Sequence, residues 1–136
     1  MEIGSIYINL PVKDLEVTRT FWTKLGFEFN SQFSNDKGIC MVLKKDTICV
    51  MFLQEDFFQT FTNRPVSDRS STQLLSAIAV ESREKVDEIV KTALENGATR
   101  YRESEDHGWM YYDSFSDPDG HQWEIMYSDI TLLPQE

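Results

Sequence analysis

The sequence predicts an α+β fold of two βαβββ modules within one domain spanning residues 1–136. Three observations predict it. Many short segments alternate apolar and polar residues with the period of a strand, and two longer ones carry apolar residues at helical spacing between a capping side chain and a glycine. The order strand, helix, three strands then occurs twice, at a period of about half the chain.

The first module covers about 1–54. Gly4 to Leu10 alternates Ile6, Ile8 and Leu10 against Tyr7 and Asn9, and Pro11, which cannot donate to a ladder, ends this strand. From Lys13 to Leu25 the apolar positions Val17, Phe21, Trp22 and Leu25 give a helix capped by Asp14 and stopped by Gly26. Phe27 to Phe33 reads as the second strand. Asn35-Asp36-Lys37-Gly38 then turns the chain into a third strand over Ile39 to Leu43. After a turn at Lys44 to Thr47, Ile48 to Leu53 forms the fourth, with Ile48, Val50 and Phe52 opposite Cys49, Met51 and Leu53.

A connector at about 55–73 begins with Phe57, Phe58 and Phe61, spaced to give a short helix one apolar edge, and continues as a polar segment. The second module covers about 74–130. Leu74 to Val80 is a strand, and Ser82 to Asn96 a helix with Val86, Ile89, Val90, Ala93 and Leu94 on one face, capped by Ser82 and closed by Asn96-Gly97. Ala98 to Glu103 reads as a short strand, Ser104 to Gly108 as a turn and Trp109 to Phe115 as a strand. His121 to Tyr127 is the last strand, with Gln122, Glu124 and Met126 on one face and Trp123, Ile125 and Tyr127 on the other.

Composition narrows the function classes. With 40% hydrophobic, 12% aromatic and 26% charged residues the chain has the make-up of a folded globular protein. Thirteen basic against 23 acidic residues give a net charge of −10, which repels phosphate backbones and anionic lipid surfaces, so neither nucleic acid nor membrane is an expected partner. No stretch reads as a signal peptide or spans a bilayer, and a cytoplasmic location is expected. Cys40 and Cys49 lack metal or redox spacing; reduced, packed thiols are expected, although their positions on facing arms of one hairpin also allow a bridge.

The stretch Ser116 to Tyr127 carries a family resemblance. An Asp117-Pro118-Asp119-Gly120 turn, Phe115 two positions before it and a strand with Glu124 four positions after the glycine resemble the closing hairpin of the vicinal-oxygen-chelate superfamily. That superfamily includes glyoxalase I, bleomycin-resistance proteins and extradiol dioxygenases. The blocks Asn9 to Leu15, Phe21 to Phe27 and Gly108 to Ile125 are most similar to a bacterial glyoxalase-like subgroup often labelled lactoylglutathione lyase by similarity. The resemblance implies that the two modules form one curved, cup-shaped mixed sheet with helices on its outer face, and that the protein is a homodimer.

Members with metal chemistry carry one His or Glu ligand on each of four strands, pointing into the cup. Carried over by position, those sites fall at Tyr7, Met51, Leu75 and Glu124, of which only Glu124 is a family ligand type. Tyr, Met and Leu cannot complete a site for a hard or borderline divalent ion. No metal cofactor is therefore expected.

Glu124 is the candidate catalytic group, since burial among apolar residues would favour its protonated form and allow acid/base work; the alternative is a hydrogen-bonded structural carboxylate. Tyr7, Asn9, Met51, Leu75, Tyr112, Gln122 and Glu124 are the candidate ligand-binding residues, with Tyr7, Tyr112 and Glu124 expected to form a polar cluster in an otherwise apolar pocket. The opposite reading is a cup filled by its own side chains. His107 is expected in a mobile loop that could fold over the cup, and His121 has the wrong strand parity to share a metal with Glu124. Three functions follow in order: a metal-free protein binding a small, aromatic or cationic molecule; an enzyme, either a glyoxalase-like lyase or isomerase with an altered metal site or a metal-independent acid/base catalyst using Glu124; and an interaction domain without ligand.

Overall fold

In the computed structural model, which describes residues 1–135, the chain divides into two compact units, Met1–Asp68 and Arg69–Glu136. Each contains a four-stranded mixed sheet and follows the order βαβββ. The repeated element order read from the sequence is thus present in the structure.

In the first unit β1 (Ile6–Val12), α1 (Leu15–Lys24), β2 (Glu28–Asn30), β3 (Gly38–Lys44) and β4 (Ile48–Gln54) are followed by the short helix α2 (Glu55–Gln59). The strand order is β1-β4-β3-β2, with β1 parallel to β4 and the other pairs antiparallel. Pro11 lies inside β1 rather than ending it. It faces Leu53 in the ladder, and because β1 has a neighbour on only one side of this sheet, a residue without an N–H is tolerated there.

Asp14 caps α1, its Oδ1 accepting from the backbone N–H of Glu16 at 2.9 Å and of Val17 at 3.2 Å. The buried stripe of α1 is displaced by one residue from the expected one: Val17 is 50% exposed, and Thr18 is 3% exposed. Thr18, Phe21, Trp22 and Leu25 follow the i, i+3, i+4, i+7 spacing, and the Thr18 hydroxyl donates to the Asp14 carbonyl at 3.1 Å, so its burial leaves no polar group unpaired. Trp22 meets Phe21 and Phe27 edge-on and stacks on Phe52 at 6.0 Å, which makes it the centre of this core.

The expected strand from Phe27 to Phe33 is cut short. After three strand residues Asn30 turns its side chain onto the N–H of Gln32 at 2.9 Å, and Ser31–Phe33 winds into one 3-10 turn. In the β3–β4 hairpin Cys40 faces Met51 and Val42 faces Cys49, so the two thiols are diagonal neighbours on one face. Both are free and buried; burial and the neighbouring Cys49 push the Cys40 thiol up to about 11.

The second unit comprises β5 (Leu75–Ala79), α3 (Arg83–Glu95), β6 (Glu105–Asp106), β7 (Met110–Ser116) and β8 (Gln122–Ser128) in the order β5-β8-β7-β6, with β5 parallel to β8. Ser82 caps α3 by accepting from the Lys85 N–H at 3.1 Å. The helix packs on β7 and β8, where Val86, Ile89, Val90 and Ala93 are buried, as are Phe115, Trp123 and Ile125 of the sheet. Residues 98–103 do not form the expected strand. Only Thr99 bridges to Ser116, and the edge strand forms instead at Glu105–Asp106, where a turn was expected. Asp106 explains the shift: Arg83 holds its carboxylate with two bonds of 2.7 and 3.1 Å and also donates to the Gly108 carbonyl, fixing this turn against α3.

The turn before β8 is built around Asp117. Its Oδ1 accepts from the N–H of Asp119 at 2.9 Å and of His121 at 3.0 Å, while Oδ2 accepts from the Trp123 indole at 3.0 Å. Gly120 has φ +87°, and a Cβ there would also lie 3.1 Å from Cγ of Arg69, whose Nε donates to the Asp119 carbonyl. Among the described residues no helix is long and apolar enough to cross a membrane.

Candidate functional site

In the first unit the sheet register places Asn9 of β1 beside Met51 of β4 and Tyr7 beside Cys49. Two hollows open on that face. One, of about 470 Å³, is lined by Asn9, Met51, Leu53, Phe57, Phe58, Phe61 and Thr62. The other, of about 620 Å³, is lined by Tyr7, Asn9, Gln32, Phe33, Ser34, Asn35 and Met51. They share Asn9 and Met51, so a ligand over those two residues has aromatic walls on either side. Every lining side chain is uncharged. Lys37 is the cation beside them, its Nζ 5.6 Å from the centre of the Phe57 ring.

Three expected ligand-binding residues, Tyr7, Asn9 and Met51, therefore meet at one place. The aromatic residues of α2 and the segment Gln32 to Asn35 complete the walls, and the sequence reading did not assign them to a site. Phe57 and Phe58 are spaced as an apolar helix edge, and the period does not distinguish an edge that packs from one that lines a hollow. Gln32 to Asn35 join the wall through the local turn started by the Asn30 side chain.

In the second unit Leu75 pairs with Gln122, Ala77 with Glu124 and Ala79 with Met126; Glu124 in turn faces Ser114, and Met126 faces Tyr112. The remaining expected residues, Leu75, Tyr112, Gln122 and Glu124, thus share one face of one sheet. The expected polar cluster does not form around Glu124. The Tyr112 phenol donates to Glu105 Oε2 at 2.7 Å, and Glu124, half-buried, has no hydrogen bond or ion pair among the described residues.

Glu105 is the centre the sequence reading missed. Besides Tyr112, it takes the Arg102 guanidinium on Oε1 at 2.5 Å and His107 Nε2 on Oε2 at 3.0 Å. Those three groups, Tyr112 first, hold its carboxyl down at about 2. The Tyr112 ring has the Arg102 guanidinium at 5.7 Å and the His107 ring stacked at 6.1 Å, and its hydrogen bond to Glu105 pushes its phenol pKa up. His107 therefore sits in a braced turn rather than a mobile loop, its own N–H donating to the Met110 carbonyl at 2.8 Å. Glu105, Arg102 and Tyr101 carry no motif; β6 brings the first of them onto the Tyr112 face by pairing Glu105 with Tyr112.

The donor set at the inherited metal positions does not fit a divalent ion: Tyr7 brings a phenol, Met51 a soft thioether, Leu75 nothing and Glu124 one carboxylate. Among the described residues no group of three His, Cys, Asp or Glu side chains is gathered for a metal.

Comparison with solved structures shows the same fold widely. A hypothetical protein of S. aureus, SA1046, is 25% identical with a TM-score of 0.79, the match covering 93% of this chain and 95% of that one. A glyoxalase-related enzyme from Fulvimarina pelagi is 19% identical with a TM-score of 0.78, covering 93% of this chain and 89% of that one. A bleomycin resistance determinant encoded on the transposon Tn5 is 17% identical with a TM-score of 0.62, covering 93% and 98%. A search of curated proteins gives no significant match. The family description Glyoxalase/Bleomycin resistance protein/Dioxygenase superfamily matches residues 4–125, so the chain belongs to that superfamily.

Proposed function

We propose that this superfamily member binds a small aromatic molecule on the sheet face of its first unit, without the divalent metal of its catalytic relatives. The observation that carries the reading is the pair of uncharged, aromatic-walled hollows that share Asn9 and Met51. Apolar rings supply contact area there, and Asn9, with one acceptor and two donors, supplies direction. The donor chemistry at Tyr7, Met51 and Leu75 supports the metal-free part of the reading.

The experiment pairs fluorescence titration of anilinonaphthalene sulfonate, an aromatic probe whose sulfonate suits Lys37 at the rim, with elemental analysis of protein purified without chelator. Saturable binding that Met51→Trp abolishes, as the indole fills the shared floor, is the expected result. Unaltered binding in that variant sinks the assignment of the hollow. Near one equivalent of Ni, Zn, Mn or Fe sinks the metal-free part. We further propose a homodimer, resting on Phe61, which is 68% exposed. An acid/base enzyme is the second reading, favoured by Glu124, a half-buried carboxylate that takes no hydrogen bond from a described residue.

A further inference from the structure

On the second unit's sheet the registers line side chains up in rows. One row reads Ala77, Glu124, Ser114 and the next Ala79, Met126, Tyr112. Glu124 thus stands between two small residues, in a shallow trough whose β5 side is exposed at Ala77 and Ala79. Its carboxylate is half-buried and takes no hydrogen bond or ion pair from any described residue. Beside it Ser114 is 1% exposed, and its Oγ makes no hydrogen bond of normal geometry. The Tyr101 phenol is close to both: burial chiefly raises its pKa, hydrogen bonding with the Ser114 side chain lowers it and the charge of Glu124 raises it again. Buried polar groups are normally paired, so a carboxylate with no hydrogen bond, beside a buried hydroxyl whose one polar neighbour is the Tyr101 phenol, marks a place short of donors.

The chain's own cation does not fill it. Arg102 lies near Glu124, but its guanidinium is bonded to Glu105 and rests over the Tyr112 ring. Arg102 gives its hydrogen bond to Glu105 and reaches Glu124 only as a charge through space, which leaves the Glu124 carboxylate without a donor. The missing group must carry positive charge for the carboxylate and more than one N–H, because Ser114 Oγ and the Tyr101 oxygen can each accept as well. A quaternary ammonium has no N–H to give, and an alcohol brings one donor and no charge. A primary ammonium brings three donors around a compact charge.

The geometry points to a primary-ammonium site at Glu124, in which the carboxylate takes the charge, Ser114 and Tyr101 accept remaining N–H groups, and the ligand's apolar stem lies over Ala77 and Ala79. All of these residues belong to the second unit, so the inference stands apart from the hollow proposed above.

The test is a nitrogen–proton NMR titration with phenethylammonium and, separately, with its neutral isostere 2-phenylethanol. Saturable shifts at the amides of Ala77, Ser114 and Glu124 are expected with the amine, about tenfold or more weaker with the alcohol and in Glu124→Gln, the worth of one charge-assisted hydrogen bond. Ser114→Ala weakens the amine by a smaller factor, and the same spectra report whether each variant is folded. Equal affinity of amine and alcohol, equal affinity of wild type and Glu124→Gln, or no saturable shift overturns the site. Anilinonaphthalene sulfonate binding tests the hollow separately: its failure with the amine site intact refutes only the proposed function, and the converse result refutes only this inference.

Discussion

Replacing Asp117 by Ala removes three acceptor contacts at once, and the structure lets the cost be built up. The Trp123 indole N–H loses its carboxylate acceptor at a residue that is 0% exposed, which costs about 1–3 kcal/mol. The N–H groups of Asp119 and His121 lose a carboxylate acceptor at part-buried positions, roughly 1 kcal/mol each after water takes over some of the bonding. Against this, a carboxylate only 5% exposed no longer has to be held out of water, which returns part of the sum. The net expectation is a loss of about 3 kcal/mol in urea unfolding followed by tryptophan fluorescence and circular dichroism. Asp117→Asn keeps one acceptor oxygen but turns an amide NH2, a donor, toward the indole N–H, and should lose about half as much. Burial also raises the Asp117 pKa above its ordinary 3.8, so the folded form binds the proton more readily than the unfolded one. Its contribution is then full below that ordinary value and falls away as pH rises through the raised folded pKa, so the gap between wild type and Asp117→Asn narrows toward neutral pH. A loss below about 1 kcal/mol for Asp117→Ala, or a gap that widens with pH, would refute the assignment of Asp117 as the organiser of this turn.

Glu105 should show the opposite slope. Its carboxyl is lowered from 4.5 to about 2, so the stabilisation it gives is complete above the ordinary value and is lost as pH falls toward 2; Glu105→Gln should flatten acid unfolding in that window, and a carboxyl that titrates by NMR near 4.5 contradicts the network. Light scattering should give a mass twice that of the single chain, and Phe61→Asp should halve it; a monomer at micromolar concentration contradicts the proposed dimer.

The sequence made the elements legible where local chemistry and tertiary packing agree. Asp14 and Ser82 cap their helices as the residue types predict, and Trp123 and Ile125 are buried on the β8 face that alternation assigned to the core. It was less legible where one side chain decides a path: Asn30 ends β2 by binding the backbone two residues on, and Thr18 replaces Val17 in the core because its hydroxyl has the Asp14 carbonyl within reach. The candidate site was legible only as positions. Parity placed Tyr7, Asn9 and Met51 together, and Leu75, Gln122 and Glu124 together, yet it could not show that Tyr112 gives its phenol to Glu105. That pairing depends on a two-residue edge strand too short to leave a periodic signal.

The duplication itself shows how one scaffold carries two kinds of surface. By register, the central triplet of the first sheet is Asn9, Met51, Cys40, and that of the second is Ala77, Glu124, Ser114. The same position on the fourth strand of each module is a thioether in one and a carboxylate in the other. Around Met51 the neighbours are uncharged and aromatic, whereas the half of the chain holding Glu124 has six basic against fourteen acidic residues over 69–136, compared with seven against nine over 1–68. A carboxylate at the first position would lie beside the buried Cys40 thiol, which burial already holds in its neutral form. A thioether at the second would leave the Ser114 hydroxyl with the Tyr101 phenol but no neighbouring carboxylate to attract a cation. Exchanging the pair, Met51→Glu with Glu124→Met, should therefore abolish anilinonaphthalene sulfonate binding and phenethylammonium binding together while the helices and sheets remain. Retention of either ligand in the exchanged protein would mean that these two positions do not set the chemistry of their faces.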